Sequence, residues 1–397
     1  MRILFVSPRQ CWPPVSGAKL RDYHFARGLG ARAELTYVFF AEPGTGGLSR
    51  QDLPFCEKVI PVPQPPMYTV AKMVKGILGR QALPLVNYTS PAMTAALKEV
   101  LRVEMFKARK FDLVHFDSIH MMPYEPLFAG LPIVYNWHNI ESEAMERYVE
   151  TASPGRRAVA ALTARKLRSA EKHILRSAFG HVVCSRREQE ALRNIQPEAC
   201  IEVVHNGVDL RGFRSEALAD GRFRLIYVGS MNYHANSDAA IWFADEVWPA
   251  VRERHPEWKL TLVGSNPTPG VWALRERAGI EVTGTVPDVK PYYEEALAAI
   301  VPLRTGGGTR LKILEAMAAS VPVVSTEIGA EGLPVTSGKD ILLVKNQSQW
   351  LEALETVTGS GEARRKVIEA ARSTVAEFDW DLLGQSLYGI YSDWLKA

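Results

Sequence analysis

The sequence has 397 residues, 47% apolar and 23% charged, with a formal net charge of only +3. That length suggests two domains or more. The composition is that of an ordinary globular protein, and the small charge excludes a chain built as a whole to bind a polyanion. Four scattered cysteines (Cys11, Cys56, Cys184, Cys200) form no CxxC pair and exclude a disulfide framework, while no apolar run approaches the roughly 18 residues of a membrane span.

In chain order, the first short apolar run, Ile3–Val6, stops at Ser7-Pro8 and is no secretion leader, so a cytoplasmic protein is expected. A loop, Trp12–Lys19, follows it, with Gly17 placed to let backbone close over a ligand and Lys19 and Arg21 as electrostatic helpers at best. Further candidate strands are Ala33–Phe40, Lys58–Val62, Leu113–Phe116, Ile133–Asn136, His181–Cys184 and Ile201–Val204. Continuous apolar runs of this length are what strands covered on both faces look like. His138 follows the run Ile133–Trp137, at its carboxyl end; Asn139 reads as a helix N-cap, and Glu141 as a weak candidate base. Arg156–Arg176 carries seven Lys/Arg and one Glu with interspersed Val159, Leu162, Leu167 and Ile174, which reads as a solvated helix face or an interfacial helix meeting anionic lipid. Met67–Arg80, with Lys72, Lys75 and Arg80, is a weaker candidate of the same kind.

The turn-forming Asn206-Gly207-Val208-Asp209 marks the domain boundary. Beyond it the theme repeats, with strands at Leu225–Gly229, Lys259–Val263, Ile280–Thr283, Ala298–Val301, Val321–Ser325 and Ile341–Val344. Helices are expected at Asp238–Arg254, Pro269–Ala278, Val289–Leu297 and Arg310–Ala319. Strand and helix alternating over this length argue for a doubly wound α/β protein. The last segment, Phe378–Lys396, spaces Trp380, Leu383, Leu387, Ile390, Tyr391 and Trp394 as an amphipathic helix expected to return to the first domain. Asp379-Trp380-Asp381 reads as a helix start rather than a metal motif, and no cluster of metal ligands is evident.

The most informative stretch is Arg304–Thr326, RTGGGTRLKILEAMAASVPVVST. Three glycines run into a helix start, where free N–H groups favour an anion. Backbone at Gly307, Gly308 and Thr309, with Arg304, Arg310 and Lys312, would hold a phosphate near that helix start. Glu315 lies three residues beyond Lys312, so the two can face one ligand. Gly229 and Ser230 follow a parallel strand, where ligands of such sheets bind.

WPPVSGAK (Trp12–Lys19), HNGVD (His205–Asp209), GTVPDVKPYY (Gly284–Tyr293) and GGGTRLKILEAMA together resemble the retaining glycosyltransferases of family 4 over nearly the whole chain. With HNIES (His138–Ser142), the glycine-rich variant is similar to enzymes of bacterial exopolysaccharide and cell-surface glycan assembly. The resemblance implies the GT-B fold: two facing Rossmann-like doubly wound domains with a cleft between them. The acceptor domain would be 1–205, completed by the helix 379–397, and the nucleotide-sugar donor domain 206–378. It implies a nucleoside diphosphate sugar as substrate, a glycan or lipid-linked acceptor, no cofactor, no metal and no nucleic acid, with contact to the inner membrane face as an accompanying expectation. In it Lys312 binds phosphate, Glu315 holds the ribose hydroxyls, His138 contacts the transferring sugar, and Val286 lines the base pocket beside Asp288, which also serves as a helix cap.

Two departures stand out. Gly307 occupies the position of a first glutamate common in the family, and no arginine or lysine follows Gly229 within Ser230–Tyr233. Arg304 and Arg310 are expected to supply the lost charge. Competing readings are a nucleotide-sugar epimerase or hydrolase of the same fold, and a binding subunit that has lost catalysis. A nicotinamide oxidoreductase lacks its G-x-G-x-x-G turn, and the nearest P-loop string, Gly332–Asp340, has one residue too many and ends in Asp.

Overall fold

The computed structural model describes residues 1–42, 44, 47–213, 223–305, 310–359 and 361–396. The chain divides into two compact units, Met1–His205 with Trp380–Ala397, and Asn206–Asp379.

The first unit runs β1 (Arg2–Ser7), α1 (Gly17–Gly30), β2 (Glu34–Ala41), β3 (Lys58–Pro63), α2 (Val70–Leu78), α3 (Leu83–Asn87), α4 (Pro91–Phe106), β4 (Leu113–Asp117), β5 (Ile133–Asn136), α5 (Glu141–Thr151), α6 (Pro154–Ser177), β6 (Gly180–Val183), α7 (Arg186–Ile195) and β7 (Ile201–Val203). Its strands form one parallel sheet in the order β3-β2-β1-β4-β5-β6-β7. Order reverses between β1 and β4, and that reversal opens a crevice at their carboxyl ends. Every residue of β4, β5 and β6 is buried, as helices on both faces require. The edge strand β3 is half-exposed and carries Pro61 and Pro63, which lack a donor and are tolerated at an edge.

The second unit runs β8 (Arg224–Val228), α8 (His234–Trp242), α9 (Trp248–Arg254), β9 (Lys259–Val263), α10 (Pro269–Ala273), β10 (Ile280–Gly284), α11 (Lys290–Glu294), β11 (Ala296–Val301), α12 (Leu311–Ala318), β12 (Val323–Thr326), β13 (Leu342–Val344), α13 (Gln349–Thr358) and α14 (Glu362–Ala376). Its parallel sheet has the order β10-β9-β8-β11-β12-β13, with the reversal between β8 and β11. The helix expected over Val289–Leu297 is shorter, because β11 begins at Ala296 and its six residues are wholly buried. The helix expected over Asp238–Arg254 starts earlier and is broken by a π turn at Phe243–Val247, just ahead of Pro249, which has no N–H to continue the ladder.

The last helix, α15 (Trp380–Trp394), packs in the first unit against α1. Its Trp380, Leu383, Leu387 and Tyr391 are buried there, and the Tyr391 hydroxyl lies 2.6 Å from His115 Nδ1. In α6 Leu167 and Ile174 are fully buried, Leu162 is half-buried and Val159 is exposed. No helix among the described residues is long and apolar enough to cross a membrane.

Candidate functional site

In the first unit, chemistry gathers where the sheet order reverses. β1 delivers Ser7 and, two residues on, Arg9; α1 delivers Arg21 and Asp22; β4 ends on Asp117; β5 ends on Asn136, with His138 just beyond. His138 Nε2 lies 3.0 Å from Asp117 Oδ1 and 3.2 Å from Asp22 Oδ1. The Arg9 guanidinium lies 3.3 Å from Asp22 Oδ2 and 3.7 Å from Asp117 Oδ2. Asn136 donates to Asp117 Oδ1 at 2.6 Å and accepts from Arg21 Nε at 2.9 Å. Arg21 also donates to the Val204 carbonyl, so this fully buried side chain is part of the framework rather than a surface helper.

Two buried carboxylates facing each other shift apart in acidity. Burial and Asp117 push Asp22 up to about 6, against Arg9 and His138. Burial acts on Asp117 too, but His138, His115 and Arg9 outweigh it and hold that carboxyl well below its usual range. His138 is raised, since the two carboxylates outweigh its burial. Its Nε2 is therefore committed, and Nδ1, without a partner among the described residues, is the nitrogen left for a ligand. Asp22, Asp117 and His138 each offer an atom within 4.8 Å of the others, a set a divalent ion can use. No metal-ligand cluster was expected here, since Asp22 and Asp117 lie far apart in the sequence. Arg9, at hydrogen-bond distance from Asp22, supplies positive charge to the same carboxylates. Asn139 is not a cap: α5 follows Ile140 and no side chain caps it. Glu141 opens that helix, its carboxyl raised by burial.

In the second unit, Lys312 reaches across from α12 to the loop after β8. Its ammonium donates to Asn236 Oδ1 at 2.9 Å and to the Tyr227 hydroxyl at 3.3 Å, and sits 4.3 Å from the Tyr227 ring centre. Asn236 Nδ2 holds the Ser230 carbonyl at 2.9 Å, and Ser230 Oγ meets Ser265 Oγ at 3.1 Å. A Cβ on residue 229 would sit 2.8 Å from Asn236 Nδ2 and 3.0 Å from Lys312 Nζ, so only glycine leaves room for this approach. Burial and the Arg310 charge lower Lys312 to about 7, against Glu315. One turn on, Glu315 Oε2 accepts from the Tyr293 hydroxyl at 3.1 Å, and burial raises its carboxyl. Asp288 and Lys290 both act electrostatically on Glu315, which places the segment after β10 beside it. Val286 in that segment is half-buried. Asp288 accepts from the Lys290 N–H at 3.0 Å but is not the expected cap, because Val289 holds the N-cap position of α11 and no side chain caps the helix from it.

The structure thus brings Gly229, Ser230, Lys312 and Glu315 together, with the Val286 segment near Glu315. Arg304 is gripped by Asp238 through two hydrogen bonds of 2.6 and 3.1 Å. Arg310 is buried, donates to the Ile328 carbonyl at 3.1 Å and lies 3.9 Å from Glu331. The charge at the Gly229 loop comes from Lys312, not from a residue following the glycine. Gly307, Gly308 and Thr309 lie outside the described residues. Gly17, exposed, opens α1 behind its Ser16 cap.

Two doubly wound parallel-sheet units, each with polar groups at its strand-order reversal, define a protein of the GT-B class, and a solved structure agrees. Anabaena HepE, in complex with UDP and glucose, shares the fold at a TM-score of 0.68 and 16% identity, over 99% of this chain and 100% of that one. Residues 17–211 match Glycosyltransferase Family 4 and residues 222–359 match Glycosyl transferases group 1, and the chain belongs to this glycosyltransferase family. Among similar proteins, one from Klebsiella pneumoniae described as an uncharacterized 44.6 kDa protein in cps region is 28% identical over 131 residues, 31% of this chain and 34% of its own length. The glycogen synthase of Mycobacterium tuberculosis is 24% identical over 279 residues, 66% of this chain and 64% of its own. The chain therefore spans about a third of the first relative and just under two thirds of the second.

Proposed function

We propose that the protein takes a sugar from a nucleoside diphosphate sugar and places it, with retained anomeric configuration and without a metal ion, on a growing glycan or lipid-linked acceptor of surface polysaccharide synthesis. The second unit holds the donor and the first unit the acceptor, on the cytoplasmic side at the inner face of the membrane. One observation carries this reading: the Lys312 ammonium lies against the bare backbone of Gly229 with Glu315 one turn away, at the reversal point of a parallel sheet. A diphosphate bound there meets fixed dipoles and a half-buried cation, and Glu315 accepts from the ribose hydroxyls. Departing negative charge is stabilised most by donors already in place. HepE, with the same fold, binds UDP and glucose, which makes UDP-sugars the first donors to test. The role in surface glycans rests on the GGGTRLKILEAMA and HNIES resemblance.

In this mechanism Lys312 stabilises the leaving diphosphate, with Arg304 as a second cation once released from Asp238. His138 contacts the sugar. The bond from anomeric carbon to phosphate oxygen breaks and the bond to the acceptor oxygen forms on the same face. The acceptor's proton passes to the departing phosphate oxygen. A panel of nucleotide sugars screened by thermal shift identifies the donor, since a ligand bound only to the folded state raises the melting temperature. Product NMR then gives the anomer, with and without EDTA. Lys312→Ala is expected to lower kcat/KM by about 10²–10³, the loss typical of one such donor. An inverted product or activity abolished by EDTA overturns the mechanism. Donor binding without turnover, unaffected by His138→Ala, favours the binding-subunit reading instead.

A further inference from the structure

The helix α2 is amphipathic in the wrong direction for a globular surface. Val70, Met73, Val74, Ile77 and Leu78 recur at i, i+3, i+4, i+7 and i+8, the spacing of a helix's apolar stripe. That stripe normally faces a core. Here all five are exposed, Val70 and Leu78 by 76% and 81%. Tyr68, just before the helix, is exposed at 64%, and the residue turned inward is Gly76. Added side-chain bulk at Gly76 would meet Leu83 at 2.8 Å, so the helix is pressed against α3 by its small face. It is also anchored: Lys166 of α6 donates to the carbonyls of Gly76, Ile77 and Gly79, its last turn. Contiguous exposed apolar surface on a fixed element marks an interaction site.

The charge around the stripe says what covers it. From Lys58 to Lys98 there is no Asp or Glu, while Lys58, Lys72, Lys75, Arg80 and Lys98 lie within it. Lys75 and Arg80 are exposed beside the stripe. The neighbouring α6 has no acidic residue from its start to Ala170, and its Arg156, Arg157 and Arg165 are exposed. An apolar ridge with basic flanks matches the acyl boundary and headgroups of an anionic bilayer. A second copy of the same face is disfavoured, because it would set like charges against each other.

We propose that α2 is the membrane-inserting element of this protein, its Val70–Leu78 stripe entering an anionic lipid surface while Lys75, Arg80 and the basic residues of α6 meet the headgroups. The inference deepens the inner-face reading proposed above and rests on it for its purpose. In α6, by contrast, Leu167, Ile174 and Leu175 are spent on the core of the unit.

Flotation of the full-length protein with vesicles of phosphatidylglycerol and phosphatidylcholine, compared with phosphatidylcholine alone, tests it without donor or acceptor. The protein is expected to float with the anionic vesicles and to lose at least tenfold in partitioning in the Val74→Asp/Leu78→Asp variant. Lys75→Glu/Arg80→Glu is expected to weaken partitioning and its salt dependence. Both pairs are exposed, so circular dichroism and the thermal transition should be unchanged. The nucleotide-induced thermal shift, read on the same variants, separates failure of this proposal from failure of the transferase reading. No flotation of the parent protein, equal binding to neutral vesicles, or undiminished binding by Val74→Asp/Leu78→Asp overturns the assignment. So does a dimer in sedimentation that the same variant dissociates.

Discussion

A buried ammonium beside a guanidinium gives up its proton near neutrality. Lys312 is in that position, its pKa lowered to about 7 first by burial and then by Arg310. A diphosphate beside it favours the charged form, so the group must take up a proton when the donor binds above pH 7. By linkage, affinity for a nucleoside diphosphate is expected to fall as pH rises from 7, by up to about tenfold per unit while the bound pKa stays higher. Calorimetric titration at pH 8 in two buffers of different ionisation enthalpy should show uptake approaching one proton, absent in Lys312→Arg. Equal heats in the two buffers would refute this. The sign for the free protein follows from the same lowered value: its stability rises as pH climbs from 7 toward the lysine's ordinary 10.5. Lys312, Glu315, His138 and Gly229 were readable because each sits in a short local string. Asp22 and Asp117 were not. One lies inside a helix and the other at the end of an apolar strand, 95 positions apart, and only the pairing of β1 with β4 brings them to His138. A carboxylate ending the run Leu113–Phe116 was the one available hint.

Strands were the most legible elements. All thirteen among the described residues were anticipated, most ends within a residue or two, because parallel strands buried on both faces must be short and continuously apolar. Helices were less so. Their limits depend on tertiary packing, as in the early end of α11, or on a single residue such as Pro249. Nor does periodicity tell which neighbour a stripe meets, so Met67–Arg80 could be ranked only below Arg156–Arg176 as an interfacial segment, although it is the α2 stripe that faces outward. The return of the last helix to the first unit was anticipated, but its crossing with α1 was not. It depends on two glycines: a Cβ on Gly28 would lie 2.6 Å from Gly384 Cα, backbone against backbone. Neither helix can yield without moving as a whole. Gly28→Val is therefore expected to destabilise the first unit by about 1–3 kcal/mol through overpacking. Gly389→Ala, on α15 with nothing within 4 Å of the new carbon, should be neutral or stabilising by up to about 1 kcal/mol from helix propensity. Urea unfolding monitored by tryptophan fluorescence compares the two, and equal midpoints would show that the crossing carries no such constraint.

At the scale of the whole chain, the two units differ in how they are threaded. The second unit is a single continuous segment with its own core, from Val208 and Leu225 through Phe378. Its ends are tied together, since the Val208 N–H donates to the Phe378 carbonyl at 2.9 Å and Val208 bridges Asp379. A domain with its own core and adjacent ends can in principle fold alone. The first unit is discontinuous and borrows α15 from the far end of the sequence. Trp380 stacks on the His24 ring at 4.8 Å, Asp381 pairs with Arg27 at 2.6 Å, and Leu383, Leu387 and Tyr391 complete a face of the core. Cutting the chain after Asp379 therefore removes nothing from the second core and strips several large apolar side chains from the first. A fragment of residues 206–379 is expected to fold cooperatively and keep its nucleoside-diphosphate thermal shift, since Gly229, Lys312 and Glu315 all lie within it. A fragment of residues 1–379 should keep that transition and lose the one belonging to residues 1–205. Calorimetry on the two fragments and the full chain distinguishes the cases. An unfolded 206–379 fragment would show that the proposed donor site depends on the first unit for its stability. An intact transition for residues 1–205 without the helix would show that α15 is an accessory to that core and not a part of it.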